Sequence, residues 1–166
     1  MRTHCSTAGA DGGKTRRLDM DDVLMLLAQQ KYFLLHAPRQ TGKTTCLLAL
    51  AKYLNERGEY HAVYANIEAA QAAREDVAQG MGAAITYIAN SAVEQIGDPY
   101  ALAIMQDVLK NDAPLAQLGV FLARWCAQLD KPLVLLDEVD ALVGDTLISL
   151  RATGDSLDDS GLSQQI

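Results

Sequence analysis

The chain has 166 residues, 49% hydrophobic and 21% charged, an ordinary globular composition that excludes a wholly disordered polymer. At that length one domain with a real core is expected, because a chain of roughly 150 residues buries about two thirds of its unfolded surface. The formal charge of −7 is gathered late: residues 130–166 hold eight acids and two bases, so the rest, with twelve bases and thirteen acids, is near neutral and carries no clear footprint of a nucleic-acid binder.

Residues 1–17 are rich in Gly, Thr, Ser and Ala without periodicity and read as a disordered leader, with Lys14, Arg16 and Arg17 as a solvated basic arm. Order is expected from Asp19, where Asp21 or Asp22 caps a short helix bearing Val23, Leu24, Leu26 and Leu27 and ending at Gln29 and Gln30. Tyr32, Phe33, Leu34 and Leu35 are a continuous apolar run, the pattern of a strand covered on both faces. A loop over residues 37–42 then feeds a helix that opens at Lys43, carries Leu47, Leu48, Ala51 and Leu54 on one side and is capped by Gly58. A second strand follows over residues 61–67 through Val63, Tyr64 and Ile67.

Alanine-rich composition predicts helix from Ala69 to about Ile96, with breaks at Gly80 and Gly82. Asp98 and Pro99 predict a cap and first-turn proline for a helix to Leu109. Pro114 opens another, with Leu115, Leu118, Leu122, Trp125 and Leu129 as its buried stripe. Leu133 to Leu136 is a last apolar run, ending in acid. Strands alternating with helices indicate an α/β fold with a mainly parallel sheet between helical layers. Apolar runs are too short for a bilayer, and Cys5, Cys46 and Cys126 match neither a disulfide framework nor a zinc site. A cytoplasmic protein with no membrane partner and reduced thiols is expected, Cys46 being a small buried helix residue.

Two segments carry chemistry. Ala37-Pro38-Arg39-Gln40-Thr41-Gly42-Lys43-Thr44, followed by Thr45, matches a phosphate-binding loop except that alanine stands where the first glycine is usual. Such a loop needs a turn whose N–H groups converge on phosphates, a lysine for the β- and γ-phosphates and a hydroxyl for magnesium, which Gly42, Lys43 and Thr44 supply. It also runs from an apolar strand into a helix N-terminus, where orphan N–H groups favour an anion. The second segment, Leu133-Val134-Leu135-Leu136-Asp137-Glu138, places two carboxylates at the C-terminal end of a strand, where ligands sit in open parallel sheets. There Asp137 orients magnesium together with Thr44, and Glu138 polarises the attacking water. The expected ligands are ATP and Mg2+.

Residues 32–45 (YFLLHAPRQTGKTT), 64–76 (YANIEAAQAARED) and 132–150 (PLVLLDEVDALVGDTLISL) together resemble a prokaryotic AAA-type ATP-binding protein of the AAA+/STAND-like P-loop ATPase group. The resemblance covers residues 18–150. It implies a three-layer α/β/α P-loop NTPase core with a mainly parallel sheet, residues 37–45 cradling ATP, Thr44 and Asp137 holding magnesium, and Glu138 as catalytic base. Proteins of this group continue with a sensor strand and a helical lid, whereas residues 151–166 read as a polar tail unlike either; the expected core is therefore incomplete, with a truncated or frame-altered C-terminus. The implied function is an ATPase or molecular switch acting on an unidentified protein partner, with an oligomer compatible. The alternatives are a nucleic-acid-associated ATPase helper and a non-catalytic nucleotide-binding fragment. A small-molecule kinase ranks last, because paired carboxylates at a strand end suit water activation.

Overall fold

The computed structural model describes residues 5–6, 17–18, 20–28, 42–68, 70 and 76–139. The expected first strand at Tyr32 to Leu35, loop residues 37–41 and the tail 151–166 lie outside the described residues. In chain order the elements are β1 (Cys5–Ser6), β2 (Arg17–Leu18), α1 (Met20–Ala28), α2 (Lys43–Arg57), β3 (His61–Asn66), α3 (Val77–Ile96), α4 (Tyr100–Asn111), α5 (Gln117–Cys126) and β4 (Pro132–Asp137). The fold is α/β, mostly helical among the described residues, with one parallel pair, β3 with β4. β1 and β2 form a two-residue antiparallel pair within the stretch that composition reads as a leader.

Strand alternation builds the layers. Val63, Ala65, Val134 and Leu136 join the cluster of α3, α4 and α5, whereas Ala62, Tyr64, Leu133 and Leu135 join that of α1 and α2. Successive side chains of a strand point to opposite faces, so helices lie on both sides of the pair. On α2 the buried residues Leu47, Leu50, Ala51 and Leu54 form the helical stripe that meets the sheet. Extended back one turn, that stripe passes through Lys43 and Thr44 and carries both toward the C-terminal end of β4. Leu48, expected on this stripe, is exposed, and Leu50 takes its place.

The far edge of β3 is closed by two side-chain amides. The N–H groups of His61 and Ile67 donate to the carbonyls of Lys131 and Asp137, at 3.1 and 3.2 Å, so the backbone groups of Ala62 and Tyr64 point the other way. Asn55 of α2 donates to the Ala62 carbonyl at 2.8 Å and accepts from its N–H at 2.7 Å. Gln95 of α3 does the same to Tyr64, at 2.7 and 2.9 Å. Each carboxamide imitates one residue of a neighbouring strand, which removes the hydrogen-bonding template that an open edge presents.

The helices depart from expectation in instructive places. α3 opens at Val77, where Asp76 accepts from the Gln79 N–H, and runs unbroken through Gly80 and Gly82. A glycine weakens a helix without ending it when the helix is packed, as at Gly82 against Leu109 of α4. The two-glycine signal therefore loses to the long buried face of Met81, Ala84, Ile85, Ile88, Ala89 and Ala92. α4 begins at Tyr100, so Pro99, expected in its first turn, stands just before it; Asp98 Oδ1 accepts from the Tyr100 N–H and Oδ2 from the Trp125 indole at 2.7 Å. α5 begins three residues later than Pro114, so Leu115 lies ahead of the helix and is 69% exposed, while Leu118, Phe121 and Trp125 are fully buried.

The cysteines of α2 and α5 differ. Cys126 is a free, buried thiol that burial pushes up to about 12. Cys46 is half-buried and disulfide-bonded, which corrects the expectation of a reduced, buried thiol. Sequence spacing excludes a framework of paired bridges, but proximity in the folded chain decides whether one bridge closes. No helix among the described residues is long and apolar enough to cross a membrane.

Removing either edge-closing carboxamide leaves a partly buried peptide group without its partner, so Asn55→Ala and Gln95→Ala are each expected to lower unfolding stability by about 1–3 kcal/mol. Urea denaturation monitored at Trp125 measures this; a loss under about 0.5 kcal/mol for both would show that water replaces them without penalty.

Candidate functional site

Asp137 is where the two segments singled out in the sequence meet. It ends β4 on the same face as Leu133 and Leu135, the face covered by α2, and is 1% exposed. The Thr44 hydroxyl donates to its Oδ2 at 2.6 Å across 93 residues of sequence. Lys43 Nζ stands 3.2 Å from Oδ1, which also accepts from the Glu138 N–H at 2.9 Å. The Tyr64 hydroxyl completes the set by donating to Oδ2 at 3.1 Å. Each carboxylate oxygen thus has two partners, about the full accepting capacity of an ionised carboxylate.

The electrostatics follow from that set. Burial pushes the Asp137 carboxyl upward, but hydrogen bonds from Thr44 and Lys43, the Glu138 amide and the lysine charge outweigh it and hold the group below its ordinary 3.8. Tyr64 moves the other way, to about 12, through burial first and then the adjacent Asp137 charge. At neutral pH the site therefore holds an ionised carboxylate and a neutral phenol.

Local backbone explains how the other residues reach this point. Gly42 precedes α2 with φ 80°, a left-handed conformation that a side chain disfavours, and its carbonyl accepts the Cys46 N–H at 2.9 Å. The N–H groups of Lys43, Thr44 and Thr45 open the helix and have no intrahelical acceptor. Thr45 is exposed. Glu138 has φ 59°, also left-handed, where a residue with Cβ is strained by of order 1–3 kcal/mol. The turn breaks the alternation of β4 immediately after Asp137, so the two adjacent acids do not continue one strand.

Of the expected site residues, the structure brings Lys43, Thr44, Asp137 and Glu138 together; Ala37, Pro38, Arg39, Gln40 and Thr41 lie outside the described residues. From sequence, Tyr64 is a strand residue that opens the resembling segment 64–76, with no role in the site. A phenol on a buried strand needs a partner for its hydroxyl, which is a signal in the sequence, but the register of β3 against β4 is needed to name Asp137 as that partner. Among the described residues no cluster of three or more His, Cys, Asp or Glu side chains could hold a metal ion. Compared with family models, curated proteins and solved structures, the chain finds no match in any of the three.

Two outcomes follow from this geometry. Because the folded carboxyl of Asp137 lies below its unfolded value, its stabilisation is present above pH 3.8 and is lost as pH falls through the lowered folded value. Acid unfolding of Asp137→Asn, followed by circular dichroism from pH 6 to 2, is expected to be shallower than that of the unsubstituted chain; parallel curves would refute the assignment. Glu138→Gly relieves the left-handed strain of roughly 1–2 kcal/mol against a backbone-entropy penalty of about 0.5–1 kcal/mol, so it is expected to melt at the same temperature or higher. A clear drop would mean that the Glu138 side chain itself stabilises the fold.

Proposed function

We propose that this chain binds ATP with magnesium and hydrolyses it, as a P-loop ATPase of the additional-strand type. The observation that carries the reading is the convergence of Thr44 and Lys43 on Asp137, because a glycine-lysine-threonine helix start beside a strand-end acid is the arrangement a phosphate-and-magnesium site requires. The parallel β3–β4 pair, the helices on both faces and the acid at the C-terminal strand end support the fold, since open parallel sheets bind ligands at that end.

The residues fit the groups this function requires. Thr44 and Asp137 offer two hard oxygens side by side, and magnesium is typically bound through one or two protein oxygens plus water and phosphate rather than by an all-protein cage. Thr44 and Asp137 would hold the ion, which would neutralise charge developing on the phosphates. Lys43 is 24% exposed at its side chain, and its ammonium would exchange Asp137 for phosphate oxygens. The orphan amides at the start of α2 add donors for the same anion. Glu138, turned out of the strand by its left-handed backbone, would accept the proton of the attacking water.

Calorimetry with ATP tests the reading. Lys43→Ala is expected to abolish most binding without unfolding the chain, Asp137→Ala to remove the magnesium-dependent part, and Glu138→Gln to leave affinity within about threefold while stopping phosphate release. Unchanged ATP affinity in a folded Lys43→Ala protein would remove the proposal. Equal, magnesium-independent losses in Asp137→Ala and Glu138→Gln would remove the assignment of one acid to the metal and the other to the water.

A further inference from the structure

Tyr64 is gripped at both ends. Its backbone N–H and carbonyl are held by the Gln95 carboxamide of α3, and its ring packs in the cluster that contains Leu47, Leu50, Leu54 and Leu135. The hydroxyl emerges from that apolar cluster onto Asp137 Oδ2. A phenylalanine would fill the same volume, so the packing alone does not call for an oxygen there.

The four partners of Asp137 differ in what they do when a nucleotide arrives. Lys43 and Thr44 are the two groups that would turn to phosphate and metal, and in doing so they leave one carboxylate oxygen each. The Glu138 N–H belongs to the adjacent residue and moves with the carboxylate it bonds. Only Tyr64, among these four, reaches Asp137 from a separate strand and has no ligand of its own to serve. Its bond also lands on Oδ2, the oxygen that Thr44 shares.

We propose that Tyr64 is a positioning residue of the metal site, whose hydroxyl holds Asp137 Oδ2 in the orientation that magnesium requires once Lys43 and Thr44 have turned to the nucleotide. This role rests on the ATP reading above and adds to it a group outside the two segments, 37–45 and 133–138, that carry its chemistry. Partners that orient a metal ligand typically contribute 10–100-fold to metal affinity, which makes the effect measurable without turnover.

The experiment measures ATP affinity by calorimetry in EDTA and across a magnesium titration, for the unsubstituted chain and for Tyr64→Phe, Tyr64→Leu and Gln95→Ala. Melting curves are recorded first, and Tyr64→Leu carries the comparison if Tyr64→Phe does not fold. The magnesium concentration giving half of the metal-dependent gain is expected to rise roughly tenfold without the hydroxyl and to stay within about twofold in Gln95→Ala, which loosens the same strand but keeps the phenol. An unchanged magnesium midpoint in the Tyr64 variants overturns the proposal. So does an equal rise in Gln95→Ala, which would place the effect in the strand. Failure of the unsubstituted chain to bind ATP is a separate result, visible before any substitution, and removes the nucleotide reading itself together with this role.

Discussion

Asp137 is a carboxylate almost wholly withdrawn from water, and everything around it follows from the need to satisfy it. An isolated buried charge is strongly unfavourable unless it is paired and hydrogen-bonded. Here a lysine, a hydroxyl, a phenol and a backbone amide meet that need from α2, β3 and the turn after β4. The carboxylate therefore ties the open end of the sheet to the start of α2 in a single register. A slip of one residue in β4 would turn Asp137 toward the opposite helical layer, away from Lys43 and Thr44.

The same arrangement holds a resting state that differs from the proposed working one. With Lys43 on Asp137, the cation proposed to read phosphate is already engaged, and a nucleotide would have to exchange one charge-assisted contact for another. Such an exchange needs little reorganisation because the ammonium sits at a half-open helix start, whereas Asp137 and Tyr64 are enclosed. The strain at Glu138 fits the proposed division of labour, in which the strand would end on a metal-orienting acid and the next residue is redirected by its backbone. Rigidity beneath these groups comes from β3, whose outer edge is locked to α2 and α3 by Asn55 and Gln95.

Helix and strand positions were largely legible because their signals are local. The αL glycine at Gly58, the Asp98-Pro99 entry to α4 and the apolar run of β4 each depend on residues within a few positions of one another. The misses share a cause. Gly80 and Gly82 were expected to interrupt a helix that tertiary packing holds together, Leu115 was assigned to a stripe that begins three residues later, and Cys46 was read from spacing when chain proximity decides a disulfide. For the two glycines a local preference of about 1 kcal/mol each gave way to the buried face of α3.

For the candidate site, the sequence by itself determined which residue types are present and in what local frame: a glycine that suits φ > 0, a lysine and a threonine on the first turn of a helix, and two acids after an apolar run. These are short-range facts, fixed by backbone sterics and periodicity. Only the tertiary structure decided that Thr44 and Asp137 lie 2.6 Å apart, that Tyr64 shares the same oxygen, and that Asn55 and Gln95 close the strand beneath them. Those facts depend on the register of β3 against β4 and on which helix covers which face, and both are set by burial summed over two clusters rather than by any segment alone.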